Sequence, residues 1–426
     1  MAGPSPAHKL SGLSDQPGTP NEEGLGKKLF VLMVTAFVDM VGLLAVIPLL
    51  PFYAMRFGAN GFTVGLLVSS FAIAQLASAP WWGRVSDRHG RRPALLAGLA
   101  ASAIAYVVFA FADSLWLLFL SRIVQGAGGG TVSVIQAYVA DATRPEERAK
   151  GLGWLSAATN LGVAIGPVLG SLAARWGTAA PGLLAAALCL INIAFAWSYL
   201  TESHSEESRA PAGARLQTSR QALLHVVNHP AEPAPRLIWI YSIAMGAFQG
   251  MVAILPLFLA AVHGVTEQTI GWFFMYIGLI SVVTRAFILG RAVDWLGEAR
   301  LSRVGMVLLA VGLATMPLAR DYIGLALTVA LVPLGTAFTF PCVTSLLSRV
   351  IANHERGLYL GVQQTYGGVA RVIAPLATGF AWDRFAPGVP FWMSAALVVG
   401  TLFLGAGIER FTAHVTSPGQ AQAPAK

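Results

Sequence analysis

GRVSDRHGRRP, residues 83–93, holds five cations counting His89, one carboxylate and two glycines. The run before it, FTVGLLVSSFAIAQLASAPWW (62–82), carries no charge, and neither does the run after it, ALLAGLAASAIAYVVFAFA (94–112). Runs of about 20 apolar residues match helices that cross about 30 Å of hydrocarbon. Hydrocarbon offers a free backbone group no partner, so each run must be helical. The arginine knot then reads as a loop that joins two membrane-crossing helices and anchors their topology.

The whole chain follows that pattern. Its 426 residues are 55% hydrophobic and only 11% charged, with mean hydropathy +0.65. Soluble proteins carry about 25% charged residues, so this surface must face lipid. Twelve apolar runs are legible, at 29–52, 62–82, 94–112, 115–139, 150–174, 181–200, 237–260, 269–289, 301–319, 322–348, 356–381 and 389–408. None alternates polar and apolar residues with period two, as a membrane barrel requires. The fold class is therefore all-α and integral to the membrane. The first run is too long for a signal-peptide core and is expected to stay as a span. Cys189 and Cys342 lie within apolar runs, which argues against a disulfide framework.

Residues 201–236 are polar and rich in Pro and Ala, and they divide the runs six and six. QALLHVV inside this stretch (221–227) reads as a short amphipathic helix. The expected organisation is a cytoplasmic tail (1–28), a six-helix bundle (29–200), a cytoplasmic linker (201–236), a second bundle (237–410) and a cytoplasmic tail (411–426). With both termini in the cytoplasm, 21 of the 28 Lys and Arg fall on cytoplasmic segments. Only Arg56, Arg175, Arg320 and Arg384 fall outside. The positive-inside rule selects that orientation. It also gives the net charge of +8 a membrane role and leaves no call for nucleic acid.

The halves repeat. GRVSDRHGRRP at 83 faces GRAVDWLGEARL at 290, so Gly83, Arg84, Asp87 and Gly90 recur as Gly290, Arg291, Asp294 and Gly297. ERAKGLG at 147 faces ERGLYLG at 355, and GPVLGS at 166 faces APLATG at 374. A plain anchor needs no aspartate or glycine at matching spacing. Duplicated halves joined by a linker are a common build for secondary transporters, with the substrate held between them near the midplane.

These residues carry a family resemblance. GRVSDRHGRRP resembles the cytoplasmic signature between the second and third spans of the major facilitator superfamily. LSRIVQGAGGG from Leu120 resembles its fourth-span motif, with Arg122, Gln125 and Gly126 matching. LGVAIGPVLGS from Leu161 resembles the fifth-span motif of its drug:proton antiporters. VDMVGLLAVIPLLP from Val38 resembles the first-span motif of its twelve-span drug exporters, the tetracycline-exporter-like group especially. Two departures stand out: Ser171 replaces a glycine of the fifth-span pattern, and Glu298 and Ala299 replace arginines in the second loop motif. The resemblance implies two pseudo-symmetric six-helix bundles, no enzymatic activity and no cofactor. It further implies a monomer that exchanges protons for a small-molecule substrate. The Ala- and Gly-rich chain, with no signal peptide evident, fits a bacterial inner membrane.

The same resemblance implies a cytoplasmic gate of Gly83, Asp87, Arg88, Gly90, Arg91 and Asp294. Asp87 would face the positive N-terminal end of the eleventh span and lock that side when the protein faces outward. Gly162, Gly166 and Gly170 share one helix face and permit close packing, while Pro167 bends the fifth span.

Charges inside a membrane are costly and mark function. Asp39 is the deep acid, about ten residues or about 15 Å into its helix. Arg122, Arg285 and Arg371 are the buried cations. Asp39 and Arg122 lie at comparable depth, which suggests a pair. Low dielectric favours the neutral acid and a neighbouring guanidinium favours the carboxylate. A carboxyl balanced between them could release its proton as substrate or water rearranges about Arg122; a static salt bridge is the alternative. Arg285 and Arg371 lack an acidic partner in the second half's spans, which suggests an anionic or zwitterionic cargo, or else cations that snorkel. Tyr53, Gln136, Tyr138, Tyr241, Phe248, Gln249, Phe338, Gln363, Gln364 and Tyr366 are further candidates for an amphipathic site. The eight His are scattered, mostly in loops, and no metal-ligand cluster is legible. No phosphate-cradling glycine loop argues for ATP. The leading expectation is a proton-coupled exporter. An organic-anion symporter and a transport-inactive sensor of the same fold are the alternatives.

Overall fold

A computed structural model describes residues 22–129, 131–143, 147–200, 214–352 and 354–405. The expected terminal tails and residues 201–213 of the linker lie outside the described residues, apart from the helical residues 22–28. Among the described residues, ten helices are long and apolar enough to cross a membrane: Leu29–Arg56, Gly61–His89, Arg91–Ala110, Leu115–Ala142, Lys150–Trp176, Ala180–Tyr199, Pro233–His263, Ile270–Leu296, Glu298–Leu318 and Tyr322–Val350. The eleventh, Arg356–Arg384, has 29 residues and is less apolar. The twelfth, Val389–Leu404, is shorter at 16. No strand occurs among the described residues. Large side chains such as Trp116, Trp197 and Phe403 are two-thirds or more exposed, or close to it, as expected where lipid replaces water as the outer solvent.

The helices outrun the apolar runs. The second was expected to end at residue 82, but it continues through the arginine knot to His89. Charged residues are good helix formers once past the hydrocarbon. One residue makes the turn: Gly90, at φ 98°. Its counterpart Gly297 does the same after the eighth helix, at φ 74°. Both values fall where only glycine is unstrained.

Three spans are interrupted. Pro48 tightens the first into a 3-10 turn at Ile47–Leu49. The fourth breaks after Ala127, at Gly128 and Gly129, and resumes at Thr131. The eighth widens into a π turn at Thr284–Ile288. Such breaks often sit at functional sites.

Within the first half, the first helix packs on the fifth and sixth, the second on the fourth and the third on the sixth. In the second half the seventh packs on the tenth, eleventh and twelfth, and the ninth on the tenth. The halves meet along two seams, the second helix against the eleventh and the fifth against the eighth. These seams are tight only over part of their length. Toward the end remote from the linker, a Cβ on Gly65 would lie 2.2 Å from the Pro375 carbonyl oxygen. One on Gly271 would lie 2.3 Å from that of Pro167. At the linker end, Gly83, Gly153, Gly290, Gly357 and Gly361 have no neighbour within 4 Å of such a position. The molecule is closed at the remote end and splayed at the linker end.

The linker helix, Ala214–Asn228, includes QALLHVV. It buries Ala222 and Val226 against the second half. The Tyr366 hydroxyl donates to the Leu223 carbonyl at 2.9 Å, and the Trp239 indole to the Val226 carbonyl at 3.3 Å.

Candidate functional site

A cavity of about 460 Å³ lies between the halves. Its wall carries four charged side chains, Asp39, Arg122, Arg285 and Arg371. Polar groups from the first half are Gln75, Ser102, Tyr106, Gln125, Thr131 and Asn160. The second half adds Gln249, Ser281 and Thr336, with Phe248, Phe274 and Phe340 as aromatic surface. A volume of this size suits an organic molecule rather than an ion.

Asp39 and Arg122 both face the cavity and are nearly inaccessible, but no ion pair joins them among the described residues. Asp39 accepts a hydrogen bond from the Thr131 hydroxyl at 2.9 Å. The break in the fourth span makes that bond possible, because Thr131 opens the helix that resumes there. Arg122 donates to the Gln125 side chain, one helical turn on. Its guanidinium carbon stands 4.6 Å from the centre of the Phe71 ring. Its Nε has no hydrogen-bond partner. Tyr106, fully buried from the third helix, also lines this region.

Arg285 and Arg371 enter from the second half. The π turn presents Arg285, which donates to the Asn160 side chain at 3.2 Å across the seam. The Nε atoms of both arginines are buried without a partner. No carboxylate in the cavity wall offsets either one beyond Asp39 itself.

The remaining sequence candidates divide. Gln249 and Phe248 line the cavity. Tyr241 lines an adjoining recess that shares Arg285 and Phe340 with it. The other residues lie off the cavity. Tyr138 is fully buried in the core of the first half. Gln136 is exposed. Phe338 packs with Leu301 and Cys342. Gln363 is buried and accepts from Thr344 at 3.2 Å. Tyr53 donates to the Thr178 carbonyl at 2.8 Å, Gln364 reaches the Tyr241 hydroxyl at 3.4 Å, and Tyr366 holds the linker helix. Helical periodicity explains the miss: a polar residue in a span can turn to any of several neighbours, and the kinks that set its direction leave little trace in composition. Gln75, Tyr106, Thr131 and Asn160 escaped for the same reason. Gln125 stood inside a recognised motif.

The motifs occupy definite places. The face formed by Gly162, Gly166 and Gly170 lies on the first helix, whose backbone comes within 3 Å of each added Cβ position. Pro167 and Ser171 face the eighth helix. Ser171, a departure from the fifth-span pattern, accepts a hydrogen bond from the Gly271 backbone N–H at 2.8 Å. It thereby ties the two halves together at the remote end. No hydrogen bond or ion pair joins Asp87 to the eleventh helix among the described residues. Its exposed carboxylate accepts from Arg91 at 2.7 Å. Arg88 and Asp294 are exposed.

Arg91 also pairs with Asp141 at 3.0 Å. In the second half the equivalent positions, displaced by 207 and 208, are Glu298 and Arg349. These pair at 2.8 Å. The loss of arginine from the second loop motif is therefore a charge swap with the partner reversed in step.

The remote end is held by polar bonds as well as packing. The Asp383 carboxylate accepts from the backbone N–H groups of Gly61 and Phe62, each at 2.7 Å. It caps the start of the second helix, where unpaired N–H groups and the helix dipole favour an anion. Arg56 and Glu267 pair across the same gap at 2.6 Å. The Ser69 hydroxyl donates to the Val372 carbonyl at 2.7 Å.

One group that the sequence reading missed lies outside the cavity wall. His225, His229 and Glu232 bring one possible ligand atom each within 4.8 Å of one another.

The pattern of the Major Facilitator Superfamily matches residues 32–375. The chain is 26% identical over 378 residues to the tetracycline resistance protein, class B, of Escherichia coli, covering 88% of this chain and 92% of that one. It is 28% identical over 356 residues to multidrug resistance protein 1 of Bacillus subtilis, covering 83% and 90%. The solved structure of the human organic anion transporter MFSD10 (TETRAN) superposes with TM-score 0.68 at 24% identity, covering 91% of this chain and 100% of that one.

Proposed function

This chain belongs to the Major Facilitator Superfamily, a family of integral-membrane transporters rather than enzymes, and from that membership we propose that it is a proton-coupled antiporter. Its cargo is a small amphipathic organic molecule, carried out of the cell by alternating access between the two halves. Similarity to proteins named for tetracycline and multidrug resistance supports a drug-like cargo. The arginine count supports a cytoplasmic linker end, which makes this an inward-open conformation.

The observation that carries the reading is the state of Asp39. It is a buried carboxylate on the cavity wall, held by the Thr131 hydroxyl, with no cation at ion-pair distance among the described residues. An uncompensated charge there costs several kcal/mol, and a proton from the cytoplasm-facing cavity removes it. Arg122 shares the cavity, so an arriving cargo or water that draws Arg122 away from Gln125 alters the field at Asp39. Proton and cargo then compete for one state of the protein, as exchange requires. Asp87 supplies the return lock. It sits exposed beside Arg91 here and engages the start of the eleventh helix when the linker end closes.

Three guanidiniums against one carboxylate give the cavity a positive field. The cargo is therefore anionic or zwitterionic. Proteoliposomes under an imposed pH gradient test both statements. Asp39→Asn should insert normally and lose gradient-driven transport to background; full gradient dependence in that variant removes Asp39 from the mechanism. Matched anionic and cationic substrates, compared in wild type and Arg371→Ala, read the sign of the cargo. A preference for cations overturns it.

A further inference from the structure

We infer that the linker carries a transition-metal site, built from His225, His229 and Glu232 and suited to Zn²⁺. His225 lies in the last turn of the linker helix, and His229 directly follows the helix with its N–H still donating to the His225 carbonyl at 2.9 Å, so the two, four apart, share one face. Their rings stack with centroids 4.5 Å apart. Pro230 ends the helix, since it can neither donate nor continue the ladder, and the chain folds back through a turn closed by the Glu232 N–H donating to the His229 carbonyl at 3.2 Å. That fold-back brings the Glu232 carboxylate to 2.9 Å from His225 Nε2.

The donor chemistry selects the metal. Two imidazoles and one carboxylate are borderline ligands that suit Zn²⁺ and disfavour Ca²⁺ or Mg²⁺, which take oxygen alone. In a tetrahedral Zn²⁺ site with bonds of about 2.0–2.2 Å, ligand atoms stand about 3.4 Å apart. The three atoms here span 2.9 Å for the His225–Glu232 pair to at most 4.8 Å overall. They bracket that spacing, so rotamer adjustment of exposed side chains completes the site. Three protein ligands leave the fourth position to water. The His225–Glu232 pair has a natural place in it, because a metal displaces the shared proton and keeps both donors.

The frame under the ligands is fixed. Val226 is fully buried beside His225. Tyr366 of the eleventh helix and Trp239 of the seventh bond to the linker-helix backbone on either side. Glu232 is the residue immediately before the seventh helix. A bound ion therefore clamps the linker helix to the base of the second half, at the splayed end.

The test uses the full chain, purified without a histidine tag and freed of metal. Titration with Zn²⁺ should show one equivalent bound, and Co²⁺ should develop the visible absorbance of a tetrahedral site. His225→Ala/His229→Ala should weaken Zn²⁺ binding by at least ~10-fold and abolish that absorbance. Glu232→Gln should weaken binding less while retaining imidazole coordination. All three positions are wholly or partly exposed, so the variants keep the fold, and unchanged thermal unfolding without metal verifies this. Equal Zn²⁺ binding by wild type and the double variant, or no binding by either, overturns the inference.

Discussion

The two ends of this molecule use the same helices to opposite effect. At the remote end the second and eleventh helices meet backbone to backbone, with no room for one methyl group at Gly65. At the linker end the same two helices diverge, and Gly83 and Gly357 face open space. Glycine at the closed end is a present steric necessity. At the open end it is idle in this conformation, and its small size has meaning only if another conformation brings the helices together. The polar groups follow the same division. Asp383 spans the halves and caps a helix of the other half, whereas Asp87 turns back to its own loop. Each carboxylate sits near the C-terminal end of one seam helix, and Asp383 caps the N-terminal end of the other. The matching contact proposed for Asp87 is not made here.

Gly65 against Gly83 is the most severe test of that division. Gly65→Val pushes a side chain into the Pro375 carbonyl, and overpacking of this kind costs about 1–3 kcal/mol. That cost falls on the closed end, so the closed-to-open ratio should drop by about 5- to 150-fold. A single cysteine introduced at Gln249 and probed from the outer face with an impermeant maleimide reads this directly, since Cys189 and Cys342 are buried. Gly83→Val should leave labelling and thermal unfolding as in wild type, yet slow turnover. Equal effects of the two substitutions on labelling would erase the asymmetry.

Asp383→Asn keeps the shape, loses the charge and leaves one of the two N–H groups to solvent, because the amide nitrogen cannot accept. Hydrogen bonds to charged groups contribute about 1.5–3 kcal/mol, neutral ones about 1. The difference should open the remote end by about 3- to 30-fold in the same labelling assay. No change would mean that packing alone holds it shut.

Arg56→Gln should do least. The Arg56–Glu267 pair is partly exposed, with Arg56 44% accessible, and such pairs contribute about 0–1 kcal/mol and fade with salt. Labelling should change by less than ~5-fold, and 0.5 M salt should abolish the difference.

Much of this architecture is legible in the sequence. Apolar runs fix helices because the bilayer permits little else. Asp39 and the three intramembrane arginines announced themselves by their cost, and all four line the cavity. What sequence could not convey was direction. Asp39 and Arg122 share a depth, but the break at Gly128 and Gly129 gives Asp39 a hydroxyl partner instead. Tyr138 and Gln363 have the polarity expected of a binding residue, yet they point into helix contacts. Two departures from pattern became intelligible only in pairs. Ser171 needed the N–H of Gly271, and Glu298 needed Arg349. The histidines looked scattered because a proline turn, invisible in a count of residue types, folds a glutamate back to meet them.

The wide turn at Thr284–Ile288 in the eighth helix accommodates one surplus residue. Each residue of a helix advances the chain by about 1.5 Å and rotates it by about 100°. The surplus residue is taken up within the turn, so deleting one residue there would restore ordinary winding and leave Gly290, Asp294 and the rest of that helix on the faces they now occupy. A deletion in the regular winding on either side would instead turn everything beyond it by about 100°. The second loop motif would then present another edge to its surroundings, with no change in its own letters. Loss of one residue should therefore be better tolerated within Thr284–Ile288 than in the regular turns that flank it.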